Sequence, residues 1–200
     1  MSSGTSTGTN TGAGRRRRRP HAGDGPDGPT PGSPADLTPD ADPEEVARAI
    51  ALRQLTAAPK TRAQLSEAMA RRGVPDDVAE KVLGRFEEVH LVDDEGFARM
   101  WVTSRHAGRG LSRRALTHEL AERGIDVETA REAVDLIDTE SELEAARTLV
   151  RRRWPAVRHD DPARRNRRLI GMLARKGYSS GMALKAIRDV TGEWPLPDEL

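Results

Sequence analysis

Arginine is the side chain whose clustering could do chemistry in this chain of 200 residues. Arg151, Arg152 and Arg153 are consecutive, Arg164, Arg165, Arg167 and Arg168 follow shortly after, and Arg105, Arg109, Arg113 and Arg114 occupy the segment SRHAGRGLSRR. A guanidinium is a permanently charged, forked donor that matches phosphate and carboxylate oxygens, so the chemistry on offer is anion recognition rather than bond making. A helix turns by about 100° per residue, so it spreads Arg164, Arg165, Arg167 and Arg168 around its axis. Some of that cluster must therefore be solvated, and the patch reads either as one that touches a partner with part of its arginines or as plain surface charge. The segment from Ser104 to Arg114 reads either as a flexible, glycine-containing turn that offers its arginines to a partner or as a helix connection capped by Ser112.

Catalytic patterns do not survive inspection. GYSSG, Gly177 to Gly181, has the spacing of a hydrolase nucleophile elbow, but that motif needs a strand before it and a triad histidine after it. Here an amphipathic helical pattern precedes it and no histidine follows Ser179. His21, His90, His106, His118 and His159 show no metal-ligand spacing, and no phosphate-binding glycine loop is present. With no cysteine there is no thiolate nucleophile, disulfide or cysteine-held metal. The expectation is a protein that is not an enzyme and has no catalytic residues, metal or cofactor.

The elements that position the arginines are helical. Hydrophobic residues make up 36% of the chain and aromatic ones only 3%, against 32% charged, which is poor in sheet formers and disfavours a large β-sandwich. No run of about 18 apolar residues exists, and the amino terminus lacks the apolar stretch of a secretory signal, which points to a soluble cytoplasmic protein with no membrane partner. Residues 1–42 hold eight Gly and six Pro and read as a disordered tail, whose run Arg15 to Arg19 is offset by Asp24, Asp27, Asp36, Asp40 and Asp42. The arginine run reads as part of a solvated arm with weak, nonspecific attraction for phosphates, the alternative being a specific DNA-binding role. Order begins at Asp42-Pro43-Glu44-Glu45, where Asp42 can cap a helix and Glu45 can complete a capping box.

Sliding the sequence over itself reveals an internal repeat. Segments beginning at Leu65, Leu116 and Leu169 align without gaps as helix, turn and helix, with Gly73, Gly124 and Gly177 at the turn and Arg72, Arg123 and Lys176 just before it. Glycine there suits a left-handed helix end, and the preceding cation suits the negative end of the helix. Leu65 and Met69, Leu116 and Leu120, and Leu169 and Leu173 form core stripes, and Ala79, Ala130 and Ala183 mark close approach of two helix backbones. An upstream helix carrying Ala47-Arg48, Ala98-Arg99 or Ala146-Arg147 gives each repeat three helices, the third being lengthened near Trp154 to Pro162. Phe97, Trp101 and Trp154 read as core side chains, and Tyr178 as a packing residue. The expected fold is all-α: three tandem three-helix repeats over 43–92, 93–138 and 139–192, forming an elongated array that could curve, with a C-terminal tail over 193–200.

Charge is unevenly shared among the repeats. The whole chain carries 33 basic and 32 acidic residues, yet Ser141 to Gly192 holds thirteen Lys or Arg against five Asp or Glu. This basic terminal repeat is a credible surface for phosphates or an acidic partner.

The stretch Leu91 to Asp126 resembles the signature of RecX regulatory proteins. The matching positions are Asp93, Asp94, Phe97, Ala98, Arg105, Gly110, Glu119, Leu120, Arg123, Gly124 and Ile125, and the resemblance extends over all three repeats. It implies tandem three-helix units and a non-enzymatic modulator of the RecA recombinase in DNA repair, recombination and the SOS response. Such a modulator is mainly inhibitory, binding RecA and its nucleoprotein filament and limiting ATPase, strand exchange and coprotease activity. The expected partners are RecA and the RecA–DNA filament, with direct contact to single- or double-stranded DNA left open and a monomeric state expected. The contact face is assigned here to Arg105, Arg109, Arg113, Arg114, Arg151, Arg152, Arg153, Arg164, Arg165, Arg167 and Arg168, whereas Asp93 and Asp94 are read as caps of a helix beginning near Phe97. Two alternatives stand beside it: an independent phosphate-backbone DNA binder with one helix-turn-helix pair per repeat, and a passive helical scaffold.

Overall fold

The computed structural model describes residues 42–193. The expected tails over 1–42 and 193–200, including the Arg15 to Arg19 run and Trp194, lie outside the described residues except for Asp42 and Glu193. Repeat 1 comprises α1 (Pro43–Ala57), α2 (Arg62–Ala70) and α3 (Asp76–Glu88). Repeat 2 comprises α4 (Asp94–Arg109), α5 (Arg113–Ala121) and α6 (Val127–Asp135). Repeat 3 comprises α7 (Thr139–Arg153), α8 (Pro162–Arg175) and α9 (Ser180–Thr191), with a 3-10 turn, Trp154–Ala156, in the long α7–α8 connection. No strand occurs among the described residues.

Short polar side chains start these helices. Asp42, Thr61, Asp93, Ser112, Asp126, Asp138, Asp161 and Ser179 each accept a bond from a backbone N–H in the first turn of the helix that follows. A full capping box forms at Thr61 and Gln64, whereas Asp42 bonds the N–H of Glu44 and Glu45 stays exposed. Gly73, Gly124 and Gly177 take φ of +75°, +76° and +88°, the left-handed region where a Cβ would be strained.

Each repeat closes its own core. Leu65, Met69, Leu116, Leu120, Leu169 and Leu173 are fully buried, as are Ala47, Ala98 and Ala146 of the first helices. Each of the large side chains contributes on the order of 2 kcal/mol by leaving water. The extensive helix–helix contacts all lie within a repeat.

Neighbouring repeats meet through a hydrogen-bonded junction that occurs twice. Thr61 Oγ1 donates to the carbonyl of Arg123 at 2.6 Å, and the N–H of Arg62 donates to Asp94 Oδ1 at 2.9 Å. In the equivalent places, the N–H of Ser112 donates to the carbonyl of Lys176 at 3.0 Å and the N–H of Arg113 to Glu142 Oε1 at 2.9 Å. The start of each repeat's second helix is thus held by an acid and a turn of the next repeat. The second junction gains bonds from Lys176 Nζ to the carbonyl of Arg109 at 2.9 Å and from Tyr178 Oη to the carbonyl of Gly110 at 3.1 Å. Repeat 3 ends the series: α8 begins a turn earlier relative to the repeat, so the places of Thr61 and Arg62 are taken by Arg165 and Asn166, both buried inside the helix.

The structure alters two expectations and decides between two readings of a third segment. Helix α4 starts at Asp94, not near Phe97; Asp93 caps it by accepting the N–H of Gly96 at 2.8 Å, while Asp94 serves α2 of the preceding repeat instead. Of the two readings of the Ser104 to Arg114 segment, the structure has the helix connection capped by Ser112: α4 runs through Arg109, and Gly110 to Ser112 join it to α5. Trp101 and Trp154 are half-buried at the margins of their cores rather than inside them, whereas Phe97 is buried.

Candidate anion-binding surface

The arginines singled out by sequence fall into three environments. Arg105 is half-buried and already engaged: its guanidinium lies 4.0 Å from the ring centroid of Trp101 and 3.8 Å from a Glu119 oxygen. Arg123 lies over the same ring at 3.7 Å, Phe97 stacks beside it at 5.7 Å, and Trp101 Nε1 donates to Glu119 Oε2 at 2.8 Å. Cations over an indole face are held by its quadrupole, and exclusion of water strengthens the attraction. The signature positions Phe97, Arg105, Glu119 and Arg123 therefore build one clamp inside repeat 2. Ala98 and Leu120 are buried beneath it, and Gly110, at φ +59°, ends α4 against Leu149 of the next repeat.

Arg113 and Arg165 are also committed. Arg113 pairs with Asp135 and its backbone serves the junction. Arg165 is 7% exposed, pairs with Glu193 and sits 5.3 Å from the Trp154 ring. Reversing its charge would bury an unpaired carboxylate and unfold the start of α8, so it does not belong with its neighbours as a surface residue. Arg151 pairs with Glu144 at 2.5 Å and Arg168 with Asp160 at 2.7 Å.

The remainder form the open cationic surface. Arg109 and Arg114 are exposed beside the connection between α4 and α5. Arg152 is exposed near the end of α7. Arg153, Arg164, Arg167, Arg168 and Arg175, with Met172, line a groove of about 590 Å³ between the end of α7 and α8. Of these, Arg153, Arg164, Arg167 and Arg175 have no acidic partner among the described residues. Arg175 escaped sequence inspection because it stands apart from both clusters. Its signal was present: Arg164, Arg168 and Arg175 are spaced by four and seven, which returns to one face of a helix.

Acids elsewhere in repeat 3 explain why most of this groove stays unneutralised, Arg168 with its partner Asp160 being the exception. Arg147 holds Glu140 at 2.6 Å, Glu144 at 3.3 Å and Asp189 at 2.7 Å. Its hydrogen bond to Asp189 is the main reason that carboxyl titrates below its ordinary value, and bonding to Arg151 does the same for Glu144. Glu140, Glu144 and Asp189 are thus spent on Arg147 and Arg151, and Glu142 on the junction with repeat 2. The opposite sign collects at the junction of repeats 1 and 2, where Glu87, Asp93, Asp94, Glu95 and Asp126 line a concavity. Burial pushes the Asp94 carboxyl up despite its bond from Arg62. No group of carboxylates and histidines with metal-holding geometry occurs among the described residues. No helix among them is long and apolar enough to cross a membrane. Ser179 of GYSSG caps α9.

Comparison with known proteins agrees with this geometry. Family models described as the first, second and third three-helix domains of RecX match residues 47–86, 93–134 and 140–187. A "Regulatory protein RecX" of Thermobifida fusca is 52% identical over 187 residues, spanning 89% of this chain and 97% of the relative. Another, of Streptomyces coelicolor, is 54% identical over 155 residues, spanning 78% and 82%. The crystal structure of RecX from Lactobacillus salivarius superposes with a TM-score of 0.69 at 18% identity, over 76% of this chain and 99% of that one, a likeness of fold.

Proposed function

Because the chain belongs to the RecX family of regulatory proteins, we propose that it binds RecA and its nucleoprotein filament and lowers recombinase, ATPase and coprotease activity in DNA repair. The observation that carries this reading is the pairing of family membership with a surface of exposed arginines without acidic partners, at Arg109 and Arg114 in repeat 2 and at Arg152, Arg153, Arg164, Arg167 and Arg175 in repeat 3. A filament is a grooved, phosphate-containing surface, and a chain of helical units joined by narrow junctions can follow it. The protein acts by occupancy and not by catalysis, in the cytoplasm, as a monomer. The monomer is supported by the ends of the array. Repeat 1 has Pro43 where Asp94 and Glu142 hold a neighbour, and repeat 3 has Arg165 where Thr61 and Ser112 begin a docking helix, so copies lack the groups to continue the series end to end.

The test is the single-stranded-DNA-dependent ATPase of preassembled RecA filaments as the protein is titrated, with binding to naked DNA measured in the same buffer. Inhibition well below one protein per RecA, where naked DNA is mostly unbound, is the expected result. ATPase that falls only as the DNA itself saturates would replace this reading with simple competition for DNA.

A further inference from the structure

We propose that the groove between the end of α7 and α8 is a phosphodiester-backbone site that holds a nucleic-acid strand without reading its bases. It deepens the filament reading, on which its use inside a RecA filament rests, while binding to free nucleic acid rests on the chemistry of repeat 3 alone.

The groove is built by the register of α8. Arg164, Arg168 and Arg175 lie on one face, Arg167 flanks them, and Arg153 faces them from the end of α7. Gly171 falls on the same helix face between Arg168 and Arg175, and with no side chain it leaves the space beside the Arg175 guanidinium unfilled. A Cβ there would meet the Arg175 guanidinium at 3.5 Å, ordinary contact, so the opening reflects the missing side chain and not a tight backbone approach. At 1.5 Å per residue the row from Arg164 to Arg175 is about 16 Å long, matching on the order of four or five phosphates of one strand of a duplex.

Arginine throughout, with no lysine, favours forked hydrogen bonding to phosphate oxygens. Within this row only Arg168 has an acidic partner, Asp160; Arg153, Arg164, Arg167 and Arg175 have none among the described residues, while Arg147 and Arg151 outside it are neutralised. A continuous line of anions fits such a row better than the scattered carboxylates of a protein surface. The lining holds no aromatic ring, Asn or Gln, and Met172 is its one uncharged side chain. No aromatic platform for a base is present, and arginines drawn up in a row at strand-like length serve the phosphates first; any forking of one of them to a guanine edge would show as a sequence preference in the binding test below. Trp154, the nearest candidate for stacking, is half-buried and occupied by Arg165.

The experiment measures binding of the full chain to a labelled 30-nucleotide single strand and to the 30-base-pair duplex across a salt series. The variants are a quadruple Arg153→Gln, Arg164→Gln, Arg167→Gln, Arg175→Gln and a single Gly171→Glu, which sets a carboxylate beside the Arg175 guanidinium without removing an arginine. All are exposed or half-exposed positions, and helix content by circular dichroism confirms folding. For the single strand, the slope of log affinity against log salt should shrink by about 3 in the quadruple variant, with at least about tenfold weaker binding at 0.1 M salt. Gly171→Glu should weaken binding in the same direction, and changing the oligonucleotide's sequence should move neither variant nor parent by more than about twofold. A larger change on the duplex than on the single strand would mark double-stranded nucleic acid as the occupant. Folded variants that bind both nucleic acids like the parent would overturn the site. RecA ATPase inhibition is read on the same proteins. Lost nucleic-acid binding with intact inhibition upholds the site and removes it from the filament contact, whereas intact nucleic-acid binding with lost inhibition overturns it in favour of an acidic protein surface.

Discussion

The hydroxyl of Thr61 donates to the backbone carbonyl of Arg123 at 2.6 Å, and the side chain of that same Arg123 lies 3.7 Å from the centre of the Trp101 ring. The clamp inside repeat 2 is thereby tied to the junction with repeat 1, since any shift of the α5 end moves both.

Replacing Trp101 with Ala should therefore do more than empty a half-buried site. Two guanidiniums lose their ring and Glu119 loses a donor, for a cost of about 2–3 kcal/mol. The expected result is a lower melting temperature together with faster hydrogen exchange at the Arg62 amide. A melting temperature equal to the parent's would contradict the clamp.

Gly73 and Gly124 separate backbone strain from junction packing. Both have φ near +75°, but a Cβ on Gly73 meets nothing within 4 Å, whereas one on Gly124 would lie 2.2 Å from the Cβ of Ala63. Gly73→Ala should cost about 1 kcal/mol. Gly124→Ala should cost visibly more in a denaturant melt and loosen repeat 1 from repeat 2; equal costs would mean the junction yields freely.

The arginines of the middle repeat should divide by environment. Arg105→Gln should lower the melting temperature, because Arg105 belongs to the Trp101 clamp. The pair Arg109→Glu and Arg114→Glu, at exposed positions without acidic partners, should leave melting within about 0.5 kcal/mol of the parent and weaken inhibition of RecA ATPase several-fold. A stable, fully inhibitory double variant would remove these two from the contact face.

Acid should weaken repeat 3 through Asp189. Its hydrogen bond from Arg147 depresses the folded carboxyl below the ordinary 3.8, so its contribution is full above the unfolded value and is lost as pH falls through the folded one. Asp189→Asn should be less stable than the parent at pH 7, the gap closing below about pH 4 as the parent's carboxylate protonates. Urea melts at pH 7 and pH 2.5 check this; a gap of constant size would mean the pair contributes nothing through charge.

The repeat was legible because its carriers are local. Helical spacing from Leu65, Leu116 and Leu169, a glycine eight residues after each, and a small residue after each turn need only one helix or turn to be understood. Helix starts were legible where one side chain caps its own helix, as at Asp93 and Ser112. Asp94 was misjudged because its partner, Arg62, belongs to another repeat.

Charge shows the same division. Composition alone identified repeat 3 as basic, and helix periodicity required Arg164, Arg165, Arg167 and Arg168 to point in different directions. Which one turns inward depends on Glu193 and Trp154 meeting at Arg165. Which remain unneutralised depends on Glu140, Glu144 and Asp189 being claimed by Arg147 and Arg151. Order along the chain thus determined the helices, the number of repeats and the sign of their charge, because these follow from neighbours a few residues apart. Tertiary structure decided which arginines can meet an anion, because a cation's availability is set by the acids and rings that folding brings within about 4 Å of it, whatever their distance in sequence.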